Sequence, residues 1–188
     1  METKQKRLRK SERSKIKIMH QAKILYEKNG IENVTFGQIA EAADVCRSTV
    51  FNHFASSSEL MSAIYEQEIN DINEHCQAAG LTGEKLIREF FAKLIQDTTY
   101  YPRLMVQLIV TALVNGEKSK SIIEIEKTIT GNLPGKDEMS KAEIEELNMM
   151  IIGSYYGMVS HYLMNGLKFD AKKLNRQFSS MLDKLLKA

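Results

Sequence analysis

Hydrophobic positions in this chain recur at intervals of three and four residues almost throughout, the period of helices with one buried face. From about Arg13 to Asn29, Ile18, Ala22, Leu25 and Tyr26 share a face, and Asn29-Gly30 predicts a left-handed helix stop. Ile31 and Val34 then pack a loop against a small core. Between Thr35 and Phe54, TFGQIAEAADVCRSTVFNHF, two short apolar-periodic segments flank a break at Asp44-Val45-Cys46. Ile39, Ala40, Ala43, Val45, Val50, Phe51 and Phe54 are expected to share that core. Thr35 followed three residues later by Gln38 is a capping box, so the first segment starts there. A cap cluster at Ala55 to Ser58 precedes Glu59 in the first turn of a long helix running to about Cys76, with Leu60, Ile64 and Ile72 on one side. Gln77 to Gly83 reads as a seam.

Beyond the seam the pattern stays helical. Glu84 to Thr98 buries Leu86, Ile87, Phe90, Phe91, Leu94 and Ile95. Pro102 restarts the chain at a first helical position, and Leu104 to Val114 is apolar nearly all round, as a buried core helix is. Ser119 to Thr130 forms a short helix broken by Gly131-Asn132-Leu133-Pro134-Gly135. Leu147 to Leu167 carries no Asp, Glu, Lys or Arg. Asn148, Ser154, Ser160, His161, Asn165 and three tyrosines argue against a membrane span, because a lipid-facing helix rarely carries so many polar groups. A helix buried on most sides, one of them against a second copy of the chain, fits better, and Gly153 and Gly157 would allow close approach. Ala171 to Leu186 closes the chain with Leu174, Phe178, Met181, Leu182 and Leu185 inward.

Composition adds direction. The 188 residues are 43% hydrophobic with a net charge of +2. Met1 to Lys17 holds eight Lys/Arg against two Glu, whereas 61–188 holds 15 against 17 acids. Positive charge is therefore concentrated beside the broken pair of short helices, where Arg7, Arg9, Lys10 and Arg13 are candidates for DNA phosphates. Met1 to Lys6 reads as a solvated tail. Neither a secretory signal nor a disulfide framework is visible, so the cytoplasm is the expected compartment. No Gly-rich phosphate loop, nucleophile elbow or HExxH occurs, which argues against an enzyme. His75, Cys76 and His161 lack metal-site spacing, and no metal or other cofactor is expected. Cys46 reads as a Ser-sized replacement; a redox switch there would need a resolving partner, and none is near in sequence.

Two short helices around a tight break form a helix-turn-helix, whose second helix enters the DNA major groove. Thr35, Ile39-Ala40, Ala43, Val45, Thr49, Phe51, His53-Phe54, Ser56 and Glu59-Leu60 resemble the DNA-binding domain of the TetR family of bacterial transcriptional regulators. The motif covers a minor part of the chain; the remainder agrees in length and helical character. Asp44 stands where the family usually has Gly, Cys46 where it has Ser, Phe51 where Tyr is frequent and Ser57 where Lys is frequent. The last two swaps remove phosphate contacts and shift weight to the N-terminal arm.

The resemblance implies an all-α fold, with a three-helix DNA-binding head over 1–58 and a connector helix with a ligand-binding and dimerisation bundle over 59–188. It also implies a homodimer paired through the last two helices, and a repressor gripping a near-palindromic double-stranded operator and released by an effector. Arg47 to His53 would be the recognition helix. Arg suits guanine and Asn adenine, so Arg47, Ser48 and Asn52 are candidates for bases, and Thr35, Thr49, Phe51 and His53 for the backbone. A core rich in Met and aromatics suits a small apolar effector, with Phe90, Tyr101, Met105, Leu108, Met149, Tyr155 and Tyr156 as candidate contacts. A plain packed core has the same composition. Asp97 or Glu117 would favour a cationic effector. The alternative reading is a DNA-anchored protein-interaction module without a small-molecule ligand.

Overall fold

A computed structural model of the chain describes the backbone of residues 2–114 and 120–186, and the side chains of 10–110 and 120–186. The helices there are α1 (Glu2–Asn29), α2 (Phe36–Ala42), α3 (Arg47–His53), α4 (Ser57–Ala78), α5 (Gly83–Tyr100), α6 (Pro102–Val114), α7 (Lys120–Asn132), α8 (Lys141–Met164) and α9 (Ala171–Leu186). No strand occurs among the described residues. The fold is all-α. Contacts within the chain form two units, Met1–Tyr65 and Glu66–Ala188.

Helix α1 begins well before the expected Arg13. Residues 2–12 contain no Gly or Pro and are mostly Lys, Arg, Gln, Glu and Leu. Extending a helix already nucleated by Ile18, Ala22 and Tyr26 needs no apolar face of its own. The helix ends at Gly30, though not in the left-handed region: its φ of 82° comes with a ψ of 149°, and its N–H donates to the Tyr26 carbonyl at 2.9 Å. In the first unit Ile18, Ala22, Tyr26, Ile39, Val50, Phe54, Leu60 and Ile64 are buried. Two expected core positions differ. Val45 is half-buried and Phe51 stands 49% exposed.

One device ends α2 and recurs elsewhere. The Val45 N–H reaches the Ala40 carbonyl at 3.0 Å and the Asp44 N–H reaches Glu41 at 3.2 Å, a Schellman closure with Asp44 at φ 53°. Helices α4 and α8 close identically through Gly80 and Gly166. Asp carries a steric cost in this region that Gly avoids, yet tolerates it better than most residues.

In the second unit α5 is the central element, burying all six apolar residues expected of it. Phe91 meets Phe178 of α9 with ring centroids 4.6 Å apart and Tyr155 of α8 at 5.9 Å. Arg88 joins Glu84 to Asp183, and Tyr162 donates to Gln177 at 2.6 Å, tying α9 to α5 and α8. Helix α8 opens with a capping box, Ser140 with Glu143. Within one chain its uncharged stretch is buried on one side and open on the other: Ile151, Ile152, Tyr155, Met158, Val159 and Tyr162 face inward. Met149, Gly153, Gly157, His161 and Met164 are exposed. In α6, likewise, Leu104, Met105, Leu108 and Ile109 are buried while Val110 is 49% exposed. No helix among the described residues is long and apolar enough to cross a membrane.

Candidate nucleic-acid interface

Helix α3 is held from behind and bare in front. Val50 is fully buried, and Phe54 follows it into the core. The opposite side carries Arg47, Ser48 and Asn52, all exposed, with Thr49 and His53 half-buried beside them. Two turns of helix therefore present polar tips outward while two apolar residues fix the angle.

Phe51 links this face to α2. Its ring packs edge-on against buried Phe36, with centroids 5.0 Å apart, and the Arg47 guanidinium lies 5.4 Å from its centroid. A cation over an aromatic face is attracted by the ring's quadrupole. The pair therefore restrains Arg47 one turn away, while its guanidinium N–H groups remain exposed.

Thr35 fulfils the capping box. Its hydroxyl accepts the Gln38 N–H at 3.3 Å and donates to Gln38 Oε1 at 3.0 Å, and Gln38 Oε1 accepts the Thr35 N–H at 2.7 Å. With its proton already committed, Thr35 primarily orients α2. Cys46 caps α3 without a side-chain hydrogen bond, as expected of sulfur in place of a hydroxyl. At the start of α4 the Ser56 hydroxyl accepts the Glu59 N–H at 3.1 Å, and Glu59 reaches back to the Ala55 N–H at 2.7 Å.

Lys10 is exposed on α1. The side chains of Arg7 and Arg9 lie outside the described residues. Lys15, not singled out from the sequence, sits with its Nζ 5.8 Å from the Phe54 ring centroid, beside His53. Burial, and secondarily the charge of Lys15, push the His53 imidazole below its ordinary pKa. Helical phase could have found Lys15, since it lies three and four residues before buried Ile18 and Met19.

An exposed polar α3, braced by a Schellman turn and with Lys15 beside its C-terminal end, has the geometry of a helix that enters a groove. Residues 18–64 match the family model described as bacterial regulatory proteins, tetR family. Over those residues the chain is similar to the TetR family's DNA-binding domain. The HTH-type transcriptional regulator AcrR of Shigella flexneri is 27% identical over 179 residues, covering 84% of this chain and 82% of its own. A TetR transcriptional regulator from Rhodococcus sp. RHA1 superposes with a TM-score of 0.67 at 17% identity, covering 93% of this chain and 97% of that one. The regulator FadR from Bacillus subtilis, solved in complex with stearoyl-CoA, gives 0.64 at 19% identity, covering 91% and 97%. The matched stretch is the helix-turn-helix through which proteins of that description regulate transcription on DNA.

The seven candidate effector contacts fall in two settings among the described residues. Phe90, Met105, Leu108 and Tyr155 are buried, and Tyr101 is half-buried. Met149 and Tyr156 instead line an open groove between α7 and α8. Tyr155 spends its hydroxyl on Thr98, 2.7 Å away, and its burial, the main cause, pushes its pKa far up. Glu117 lies outside the described residues.

Proposed function

We propose that this chain is a ligand-responsive TetR-family repressor that grips a near-palindromic operator as a homodimer in the cytoplasm. Residues 1–58 serve as the DNA-binding head, and 59–188 as connector and effector bundle. Arg47, Ser48 and Asn52 read bases. Thr35, Thr49, Phe51 and His53 position the backbone, helped by Arg9, Lys10 and Lys15. The observation that carries this reading is the division of α3 into a buried side and an exposed polar one.

Two copies joined through α8 and α9 would set their recognition helices about 34–36 Å apart, one turn of duplex. The exposed face of α8, with Gly157, His161 and Met164, supports the pairing. An effector in the bundle releases DNA only by binding more tightly to a state whose heads are wrongly spaced. The stearoyl-CoA complex of the FadR neighbour is a precedent for an acyl ligand on this fold.

Selection of bound duplexes from a random pool by the full-length protein tests the reading. Enrichment of a near-palindrome with two half-sites is expected. A single unpaired half-site, or no enrichment, would overturn it.

A further inference from the structure

Helix α7 has two working sides. One faces α8 across an open groove of about 1050 Å³, with Ile122, Ile144, Met149 and Ile152 among its walls. Asn148 lies in that lining and is only 7% exposed. Its Nδ2 donates to Thr130 Oγ1 at 2.8 Å. Its Oδ1 is buried and accepts no hydrogen bond among the described residues. A buried amide carbonyl without a donor is costly, and because Asn148 belongs to the groove's lining, a turn of its amide toward the groove would let a molecule there supply one.

The rim constrains what could supply that donor. Lys127 is paired with Glu124 at 2.7 Å and Lys141 with Glu145 at 3.7 Å, so neither lysine is an uncompensated cation awaiting an anionic head. Glu126 and Glu145 offset them at the groove's edge. An ionic head of either sign would meet groups of both signs. A neutral donor pays the least desolvation at Asn148.

We propose that the α7–α8 groove binds an elongated, apolar, uncharged molecule whose hydroxyl or amide N–H donates to Asn148 Oδ1. The opposite side of α7 gives the site a route outward, because the Thr128 hydroxyl donates to Asn73 Oδ1 on α4 at 3.1 Å. A ligand that displaces α7 therefore strains a hydrogen bond to the connector helix. That regulatory consequence rests on the ligand-responsive reading above; the binding itself does not.

Calorimetry on the full-length protein with decan-1-ol, against decyl methyl ether as a probe of similar length without a donor, tests the site. The alcohol is expected to bind at least tenfold more tightly than the ether. Asn148→Leu should erase that preference. Gly131 also lines the groove, and a Cβ there meets nothing within 4 Å, so a side chain can start from this position and Gly131→Leu should fill groove space and abolish both. Thermal melts confirm that each variant is folded. Equal binding of alcohol and ether, unchanged binding by Gly131→Leu, or no binding because a second copy covers the groove would each overturn the proposal. Operator release is measured separately: binding without release upholds the site and overturns only its part in regulation.

Discussion

Thr98 of α5 and Tyr155 of α8 share a hydrogen bond of 2.7 Å, with both side chains buried. The two ends of this bond are not equivalent. The Thr98 hydroxyl also lies 2.7 Å from the Leu94 carbonyl, a second acceptor for its proton, whereas among the described residues the Tyr155 hydroxyl bonds to Thr98 alone. Tyr155→Phe should therefore cost about 1 kcal/mol, the net worth of one hydrogen bond. Thr98→Val strands a buried hydroxyl and should cost more, up to about 3 kcal/mol. The double variant should recover part of that loss. Urea unfolding of the three variants measures the order; equal costs for the two single changes would show that the bond does not organise this core.

The division of labour on α3 predicts two kinds of DNA-binding defect. Asn52→Ala should cost about 1–3 kcal/mol on the selected operator and little on random duplex, because a base contact is lost. Lys10→Ala should weaken operator and random DNA alike and reduce the salt slope by about 1. Fluorescence anisotropy across a salt series separates the two. Parallel losses for both variants would contradict the assigned roles.

His53 should make operator binding sensitive to pH. Burial and Lys15 lower its folded pKa, so the imidazole is mostly neutral at neutral pH. Two linkages follow, with distinct signs. The unfolded chain holds the proton more tightly, so the stability contributed by neutral His53 is present above the unfolded pKa and lost as pH falls through the folded one. A DNA phosphate beside His53 raises its pKa again, so binding takes up a proton and affinity should climb as pH falls over the same range. His53→Gln should flatten the profile. Lys15→Ala should move the rise to higher pH, by removing the second cause of the shift. Anisotropy at constant ionic strength reads both.

The head was legible because its signals are local. The Thr35–Gln38 capping box and the break at Asp44 set the start and end of α2 from a few adjacent residues, and α3 follows at Arg47–His53 as the spacing requires. Asp44, standing where the family usually has Gly, adopts the left-handed backbone that a glycine would favour. Periodicity performs differently, since it tells which residues share a face and not what covers that face. Phe51 fits the phase of a core position yet stands half-exposed, because Phe36 shields only its edge. The uncharged stretch in α8 had the composition of a helix enclosed on most sides, but one side is open within the chain. Candidate effector contacts divide between buried core and open groove for a related reason: aromatic and Met content marks both a packed core and a pocket. Asn148 gave no sequence signal beyond its polarity, because a carbonyl's lack of a donor depends on its neighbours in space.

Gly157 offers a test of pairing in which stability and association move in opposite directions. A Cβ built at this position meets nothing within 4 Å, so nothing in the chain's own packing requires glycine there. In a helix interior glycine is about 1 kcal/mol less favourable than alanine, and leucine is close to alanine. Gly157→Leu should therefore raise the unfolding midpoint of the isolated chain, measured at protein concentrations low enough to dissociate any dimer. If two copies of α8 cross closely at this residue, the same leucine forces the helices apart and weakens association at least tenfold by sedimentation equilibrium. Operator affinity should fall with it, because two heads no longer arrive together. Stabilisation with unaltered association would locate the dimer contact away from Gly157, and a monomeric wild type that still selects a two-half-site operator would remove the pairing argument altogether.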